Sequence, residues 1–261
     1  MNVAFTIVLN GMPFIRQQME IIPKIFDHWY IVEGVALPVK DTSWCRAPSS
    51  EFHDENYLSI DGTKEYLDSI QSDKITVIRN NNQPWNGKVD MCNSFMHLLP
   101  ENINLMQIDV DEVWSTDTLG KILKFGEQAS SDFTMCFRCN YFVGPNIKIV
   151  SQGTYGDMPY EWYRLWKLNK PGARWVAHEP PTLDRQFVVL DKNFTASKGW
   201  VFDHHAYVYA HQVKFKETYY GYTGAVESWK KLQEHKEFPC LLRDHLPWVR
   251  DNAIIDKPYV R

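Results

Sequence analysis

Three acidic side chains, Asp109, Asp111 and Glu112, lie close together near the middle of the chain. They directly follow the apolar segment 105–108, which predicts a short buried strand, although a short buried helix gives the same pattern. Carboxylates at this spacing repel one another unless a positive charge lies among them. A divalent cation with oxygen ligands would supply that charge, and such an ion is usually shared with the phosphates of a substrate. The alternative is an acidic turn exposed to solvent.

The elements that must position these carboxylates alternate between strand and helix patterns. The order is a strand over 3–9, a helix over 14–25, a strand over 28–32, a helix from 61, a strand over 74–79, a helix from 86 and the strand before the acidic turn. This βαβ order implies parallel strands with right-handed connections. In open α/β sheets, ligands bind at the carboxyl ends of the strands, which is where the acidic turn would lie. The polar segment 35–59 predicts a long loop, and loops of that length are often functional.

Composition and charge limit the class of protein. With 261 residues, 44% hydrophobic and 23% charged, the chain is typical of a soluble globular protein of one large domain, or one domain with an appendage. A net charge of -4 and a pI near 6.1 argue against nucleic-acid binding by general electrostatics. The sequence contains no signal-peptide pattern and no apolar run long enough to span a membrane. We therefore expect a soluble cytoplasmic protein, with peripheral membrane association left open.

The five cysteines are scattered, and only Cys136 and Cys139 form a C-x-x-C pair. That pair lies in an apolar and aromatic segment that predicts a strand, so buried strand cysteines are favoured over a metal or redox site. An odd number of cysteines favours a reducing compartment.

Short motifs in the first half of the chain occur in a definite order: Ile31-Val32-Glu33, then Asp61-Gly62-Thr63, then Gly87-Lys88 followed by Asn93, then Asp109-Val110-Asp111. In this order they resemble the nucleotide-sugar-binding half of GT-A glycosyltransferases, especially the inverting family 2. The chain departs from that family in two ways. Glu33 stands where the family usually has Asp, and the segment 35–59 separates it from the Asp-Gly-Thr motif.

The resemblance implies a fold and a donor site. The fold would be α/β, of the Rossmann-like GT-A type, with a mostly parallel central sheet flanked by helices and a smaller acceptor-side sheet. One domain would cover residues 1–261, with the nucleotide-sugar-binding half over 1–115 and the acceptor-side half and C-terminal helices over 116–261. Within the donor site, the residues implied are Glu33 and Asp61 for the base and ribose, Lys88 for phosphate or base, and Asp109 for the ribose or sugar.

The resemblance also implies Mn²⁺ or Mg²⁺, held by Asp111 with help from Asp109 and a histidine. The segment 199–207 resembles a tail in which a His approaches the metal or the diphosphate. His204 and His205 are both candidates, but adjacent residues on a strand face opposite sides. Only one of the two can therefore point at the metal, and the other is a structural histidine.

A general base is implied in the same way. The segment 173–181 resembles the His-Glu element of many family 2 enzymes, in which the Glu lies near the acceptor. Glu179 is therefore the first candidate base and Asp157 the second. The alternatives are a simple turn residue at Glu179, which precedes two prolines, and a solvated helix-start residue at Lys88.

The function implied is sugar transfer, with inversion, from a nucleotide diphosphate sugar, with a uridine nucleotide favoured, to a glycan or other hydroxyl acceptor. A nucleotidyltransferase would share the metal and diphosphate but usually has a Gly-rich basic loop after the first strand, which segment 10–13 is not. A glycosidase would not place Asp109 and Asp111 on one turn. A non-catalytic sugar-binding protein would explain the 10 Trp and 13 Tyr but not the acidic turn. The sequence leaves the sugar, the acceptor and the oligomeric state open.

Overall fold

The computed structural model describes residues 1–39, 42–158 and 161–257. The strands are β1 (Asn2–Val8), β2 (His28–Glu33), β3 (Ile75–Ile78), β4 (Ile103–Gln107), β5 (Glu112–Val113), β6 (Phe133–Cys136), β7 (Arg138–Gly144), β8 (Ile147–Ile149), β9 (Tyr163–Leu168), β10 (Trp175–His178), β11 (Pro181–Leu183), β12 (Val188–Leu190), β13 (Val201–His204), β14 (Cys240–Leu241) and β15 (Ile254–Asp256). The helices are α1 (Phe14–Met19), α2 (Ile22–Ile25), α3 (Thr63–Asp68), α4 (Lys88–Asn93), α5 (Thr116–Gln128), α6 (Lys192–Ser197), α7 (Ala210–Tyr219) and α8 (Ala225–Glu234).

The larger sheet has seven strands in the order β12-β6-β9-β4-β1-β2-β3. Strands β4, β1, β2 and β3 are parallel to their neighbours in this block, as the βαβ pattern predicts. Strand β9 is antiparallel to both β4 and β6, whereas β12 is parallel to β6. The predicted α/β class, with a mostly parallel central sheet, helices on both sides and a smaller second sheet, is confirmed. Because β6, β9 and β12 come from the second half of the chain, both halves build this sheet.

Both faces of the central strands of the larger sheet are buried, because alternate residues of these strands enter different apolar clusters. In β1, Ala4 and Val8 face one cluster, whereas Val3 and Phe5 face the other. Helices α1, α2 and α5 cover the first face and α4 covers the second, through buried residues that include Ile15, Ile22, Ile122 and Met91. Fully buried parallel strands need apolar residues on both faces, and this requirement explains the near-continuous apolar runs in the sequence.

The smaller sheet has the order β14-β15-β8-β7-β13-β5. Its edge strand β5 belongs to the acidic turn and pairs antiparallel with β13, so that Glu112 lies opposite His204 and Val113 opposite Asp203. This pairing brings a histidine from the second half of the chain to the carboxylates of the first half. The hairpin β10–β11 forms a separate two-stranded sheet.

The single helix predicted over 14–25 is divided into α1 and α2. Pro23 lies within the first turn of α2. Its ring lacks an N–H and would clash with the carbonyl four residues earlier, so one continuous helix cannot pass through this position. None of the described helices combines the length and the apolar character needed to cross a membrane.

Candidate active site

A cavity of about 1170 Å³ opens at the carboxyl ends of β1 and β4. Drug-sized ligands occupy pockets of roughly 300–1,000 Å³, so this volume has room for a large ligand or for two ligands together. Its lining includes the first candidate base, Glu179, and most of the residues predicted to bind a donor or metal: Asp61, Lys88, Asp109, Asp111 and His204. The position is the one that the topology of an open α/β sheet favours for ligand binding.

The backbone of the acidic turn is held from two sides. Gln18, which projects from α1, donates from Nε2 to the carbonyl oxygens of Asp109 at 2.7 Å and Val110 at 3.1 Å. The backbone N–H of His205 donates to the carbonyl oxygen of Asp111 at 2.8 Å. These bonds fix the turn before any ligand arrives, which lowers the entropic cost of binding to it.

Arg164 on β9 supplies a positive charge to two of the three carboxylates, Asp109 and Glu112. Its Nη2 lies 2.7 Å from Asp109 Oδ2 and its Nε lies 2.7 Å from Glu112 Oε1. The guanidinium is buried beside the ring of Trp162, with 5.1 Å between its carbon and the ring centroid. Sequence analysis did not identify Arg164, because only the pairing of β9 with β4 brings it to the turn.

One guanidinium does not fully neutralise the buried carboxylate of Glu112 and the half-buried carboxylate of Asp109. Burial raises the pKa of Glu112 to about 8, and the neighbouring Asp109 adds to this rise against the opposing effect of Arg164. Burial also opposes the ionisation of Asp109, but there Arg164 and a hydrogen bond from Gln107 outweigh it and lower the pKa. Asp109 therefore carries the charge at neutral pH, and Glu112 titrates in the neutral range.

The Glu112→Gln variant tests this division of charge. In the folded protein Glu112 keeps its proton to about pH 8, whereas in the unfolded chain it loses the proton near the ordinary carboxyl pKa of about 4.3. Since the folded state then binds more protons, this group makes the free energy of unfolding fall as pH rises from about 5 to 8. Urea unfolding of both proteins across that range measures their free energies of unfolding. As pH rises, the Glu112→Gln variant should become more stable relative to the wild type. A difference that does not change with pH would contradict the assignment.

His204, and not His205, faces the acidic turn. His204 Nε2 lies 3.4 Å from Asp111 Oδ1, whereas the His205 ring packs against Phe14 and Phe142 on the other side of the strand. The two histidines thus face opposite sides, as expected for neighbours at the end of a strand. Against the opposing effect of burial, His204 and then Lys216 hold the pKa of Asp111 well below its usual range.

Asp111 and His204 have the donor atoms and the spacing of two ligands to one divalent ion. Ligands at about 2.1 Å from an octahedral ion lie about 3 Å apart, close to the observed separation. A carboxylate and an imidazole suit Mn²⁺, and the remaining positions would be open to phosphate and water. Within residues 1–39, 42–158 and 161–257, Asp109 does not join this pair in a three-ligand cluster. His204 Nδ1 is buried without a hydrogen-bond partner among the described residues, inside a shell formed by the rings of Tyr141, Trp162 and Phe202.

Two lysines line the same cavity. Lys216 on α7 donates to the Ala206 carbonyl oxygen at 2.9 Å and lies 4.3 Å from the ring centroid of Tyr207. Burial lowers the pKa of Lys216, and the nearby Asp111 opposes that shift. Lys88, at the start of α4, forms an ion pair with Glu179 at 2.5 Å. The two cations flank the carboxylates, a charge pattern that suits a phosphorylated ligand.

The ion pair between Lys88 and Glu179 joins two residues for which separate roles were predicted. Burial opposes the ionisation of Glu179, but Lys88 and His178 outweigh it and hold the pKa of Glu179 well below its usual range. In this state Glu179 is ionised, which a proton acceptor needs to be, but it is only weakly basic. Asn93 holds the strand that leads to Glu179, because it exchanges two hydrogen bonds with the backbone of Trp175 at 2.9 and 3.0 Å.

The second candidate base, Asp157, is not part of the cavity lining. It is buried, its Oδ1 pairs with Lys192 at 3.0 Å, and its Oδ2 accepts from the backbone N–H of Gly153. Glu161, which sequence analysis overlooked, does line the cavity, and burial raises its pKa. Glu161 lies just before β9, and no motif in the sequence marks it.

The two carboxylates predicted to bind the nucleoside lie in different environments. Glu33 is fully buried outside the cavity lining, where Arg79 Nε pairs with its Oε2 at 2.7 Å. Asp61 lines the cavity and is exposed, and its oxygens accept from the backbone N–H groups of Met12 and Thr63. Since each carboxylate oxygen has a second lone pair, Asp61 keeps acceptor capacity for a ligand hydroxyl.

Comparison with known proteins leaves the site to be interpreted from its own geometry. No family model matches the chain, and no curated protein matches it. Among solved structures, the chain is similar to S. aureus TarS 1-349, with 9% sequence identity and a TM-score of 0.38. The similarity covers 64% of this chain and 46% of that one, so the chain spans about half the length of the structure it matches. A similarity this distant carries no argument about activity.

Proposed function

We propose that the protein is a metal-dependent glycosyltransferase that moves a sugar from a nucleotide diphosphate sugar to a hydroxyl acceptor, with inversion. The observation that carries this proposal is the arrangement of Asp111, His204 and Lys216 around one side of a cavity at the carboxyl ends of the parallel strands. A carboxylate and an imidazole beside the half-buried Lys216 can hold a metal diphosphate. The size of the cavity leaves room for an acceptor next to it.

The residues have distinct parts in this proposal. Asp111 and His204 would hold Mn²⁺ or Mg²⁺, and the bound ion would act as a Lewis acid for the charge that grows on the leaving diphosphate. Lys216 would stabilise the same charge by a direct contact. Asp109, which is held by its ion pair with Arg164, would contact the ribose or sugar. Asp61 would accept a hydrogen bond from the ribose. Glu33 would support the site from behind through its pair with Arg79.

Glu179 remains the first candidate base, and Lys88 controls its basicity. When the diphosphate enters the cavity, its negative charge competes with Glu179 for Lys88. Loss of the ion pair would raise the pKa of Glu179, because its largest influence, burial, already favours the proton-bound form. Glu179 would then take the proton of the acceptor hydroxyl as the glycosidic bond forms.

Lys216→Met should weaken binding of the nucleoside diphosphate by about 10- to 100-fold, since a hydrogen bond to a charged group contributes about 1.5–3 kcal/mol. Lys214→Met is the matched control, because Lys214 lies on the same helix but its side chain is 48% exposed. Titration calorimetry with UDP and Mn²⁺ measures both affinities. Equal affinities for the two variants would remove Lys216 from the diphosphate site.

A thermal-shift screen with UDP and GDP, each with and without Mn²⁺, tests the donor class. We expect stabilisation by UDP with Mn²⁺, because a ligand that binds only the folded state raises its apparent stability. Release of nucleoside diphosphate from a panel of nucleotide sugars would then establish transfer or hydrolysis. Binding without release of any product would indicate a non-catalytic sugar-binding protein, and stabilisation by GDP alone would overturn the uridine assignment.

A further inference from the structure

Away from the cavity, three metal-binding side chains meet near the carboxyl end of the chain. His235 caps the end of α8, Cys240 begins β14, and His245 follows the 3-10 turn Leu242–Asp244. One ligand atom from each lies within 4.8 Å of the other two. Over the part of the chain that the structure describes, no other three His, Cys, Asp or Glu side chains converge in this way.

The spacing within this cluster suits a single tetrahedral ion. Cys240 Sγ and His245 Nε2 are 3.5 Å apart. Zinc binds thiolate sulfur at about 2.3 Å and imidazole nitrogen at about 2.0–2.1 Å, which places the two ligand atoms about 3.5 Å from each other. The rings of His235 and His245 are tilted by 58° with centroids 4.5 Å apart, so they are not stacked face to face.

A hydrogen bond between the Cys240 thiol and His245 is the simpler explanation for one of these distances. It does not account for His235, which comes from a different element and still places a ligand atom within reach of both partners. All three residues are partly buried, so the cluster is sheltered but can exchange an ion with solvent. Two imidazoles and one thiol are a donor set that selects zinc over the harder ions expected at Asp111.

We propose that His235, Cys240 and His245 bind one zinc ion, with a fourth position open to water. On binding, the Cys240 thiol would form a sulfur–zinc bond and release its proton to solvent. The ion would join the end of α8 to the hairpin β14–β15 at the edge of the smaller sheet. Because the cluster shares no residue with the cavity, this site is independent of the proposed glycosyl transfer.

Cobalt substitution in the full chain tests the proposal. After chelator treatment, a Co²⁺ titration of the Asp111→Asn variant, which lacks the proposed carboxylate ligand of the cavity, should saturate a thiolate-to-cobalt charge-transfer band at about one equivalent. Cys240→Ser should remove that band, and His245→Ala should weaken Co²⁺ binding by more than about 100-fold. Cys139→Ser and Asp111→Asn should both keep the band, because neither residue belongs to the cluster. Absence of the band in the wild type, or an equal band in Cys240→Ser, would overturn the proposal.

A second measurement covers the case in which Cys240→Ser does not fold. In the wild-type protein, Zn²⁺ should slow the alkylation of Cys240 by iodoacetamide, measured by peptide mass spectrometry, because a metal-bound thiolate is shielded from the reagent. An alkylation rate that is the same with and without Zn²⁺ would show that only the thiol–imidazole hydrogen bond exists.

Discussion

Asp111→Asn is expected to lower the rate of sugar transfer by on the order of 10³-fold. A Lewis-acid metal contributes several kcal/mol to transition-state stabilisation, and each 1.36 kcal/mol is a factor of ten in rate. Asparagine keeps the shape of the side chain but removes the charge that, with His204, would hold the ion. The fold should survive, because Asp111 makes no ion pair with Arg164, the guanidinium that joins Asp109 to Glu112.

Nucleoside diphosphate release under saturating donor and Mn²⁺ measures this effect, and urea unfolding checks the fold. Asp117→Asn is the matched control, since it makes the same chemical change at a side chain that is 73% exposed. Chelation should reduce the wild type to the level of Asp111→Asn, and Mn²⁺ or Mg²⁺ should restore only the wild type. Full activity in both the variant and the chelated enzyme would refute metal dependence. Asp109→Asn should lose less activity but more stability, because it removes an ion-pair partner of the buried Arg164.

Glu179→Gln is expected to lower kcat by about 10²–10⁴-fold, the usual contribution of a general base. Donor affinity should not fall, because loss of the Glu179 charge frees Lys88 for the diphosphate. Glutamine fills the same space and still accepts hydrogen bonds, but it cannot take the acceptor proton. The same substitution at Glu161 provides the contrast, because Glu161 also lines the cavity. Loss of activity in Glu161→Gln with normal activity in Glu179→Gln would reassign the base.

The pH dependence of kcat/KM tests whether Lys88 controls the basicity of Glu179. Lys88 is among the groups that hold the pKa of Glu179 low, so Lys88→Met should move the acidic limb of the kcat/KM profile to higher pH. Asp157→Asn should leave that limb in place, since Asp157 pairs with Lys192 outside the cavity. A profile that does not respond to Lys88→Met would mean that another group governs it.

Much of the fold follows from local sequence signals. The apolar runs that became β1, β2 and β4 are long and have clear ends, so their order predicts the parallel part of the larger sheet. The location of the acidic turn follows from that order, because it comes directly after β4. The break between α1 and α2 also has a local cause, Pro23, although the periodicity of apolar residues conceals it.

The electrostatic organisation of the site could not be predicted in the same way. Arg164 reaches Asp109 across 55 positions of sequence, and Lys88 reaches Glu179 across 91. Such pairs depend on strand order and register, which a single sequence does not specify. The sequence therefore predicted that Asp109 helps Asp111 to hold a metal, whereas the structure pairs Asp109 with Arg164. It also gave Lys88 and Glu179 separate roles, although they are partners.

The register of β13 against β5 decides which of two adjacent histidines faces the acidic turn. Opposite Glu112 stands His204, and the next residue along the chain is also a histidine. A slip of one residue reverses the facing of every side chain in a strand, so it would turn His204 away and bring His205 to the acidic turn. The donor atom offered to the ion would still be an imidazole nitrogen, although it would lack the aromatic shell of Tyr141 and Trp162. The doubled histidine therefore keeps an imidazole opposite Glu112 when β13 slips in this direction, whereas a slip in the other direction would bring Asp203 to that position.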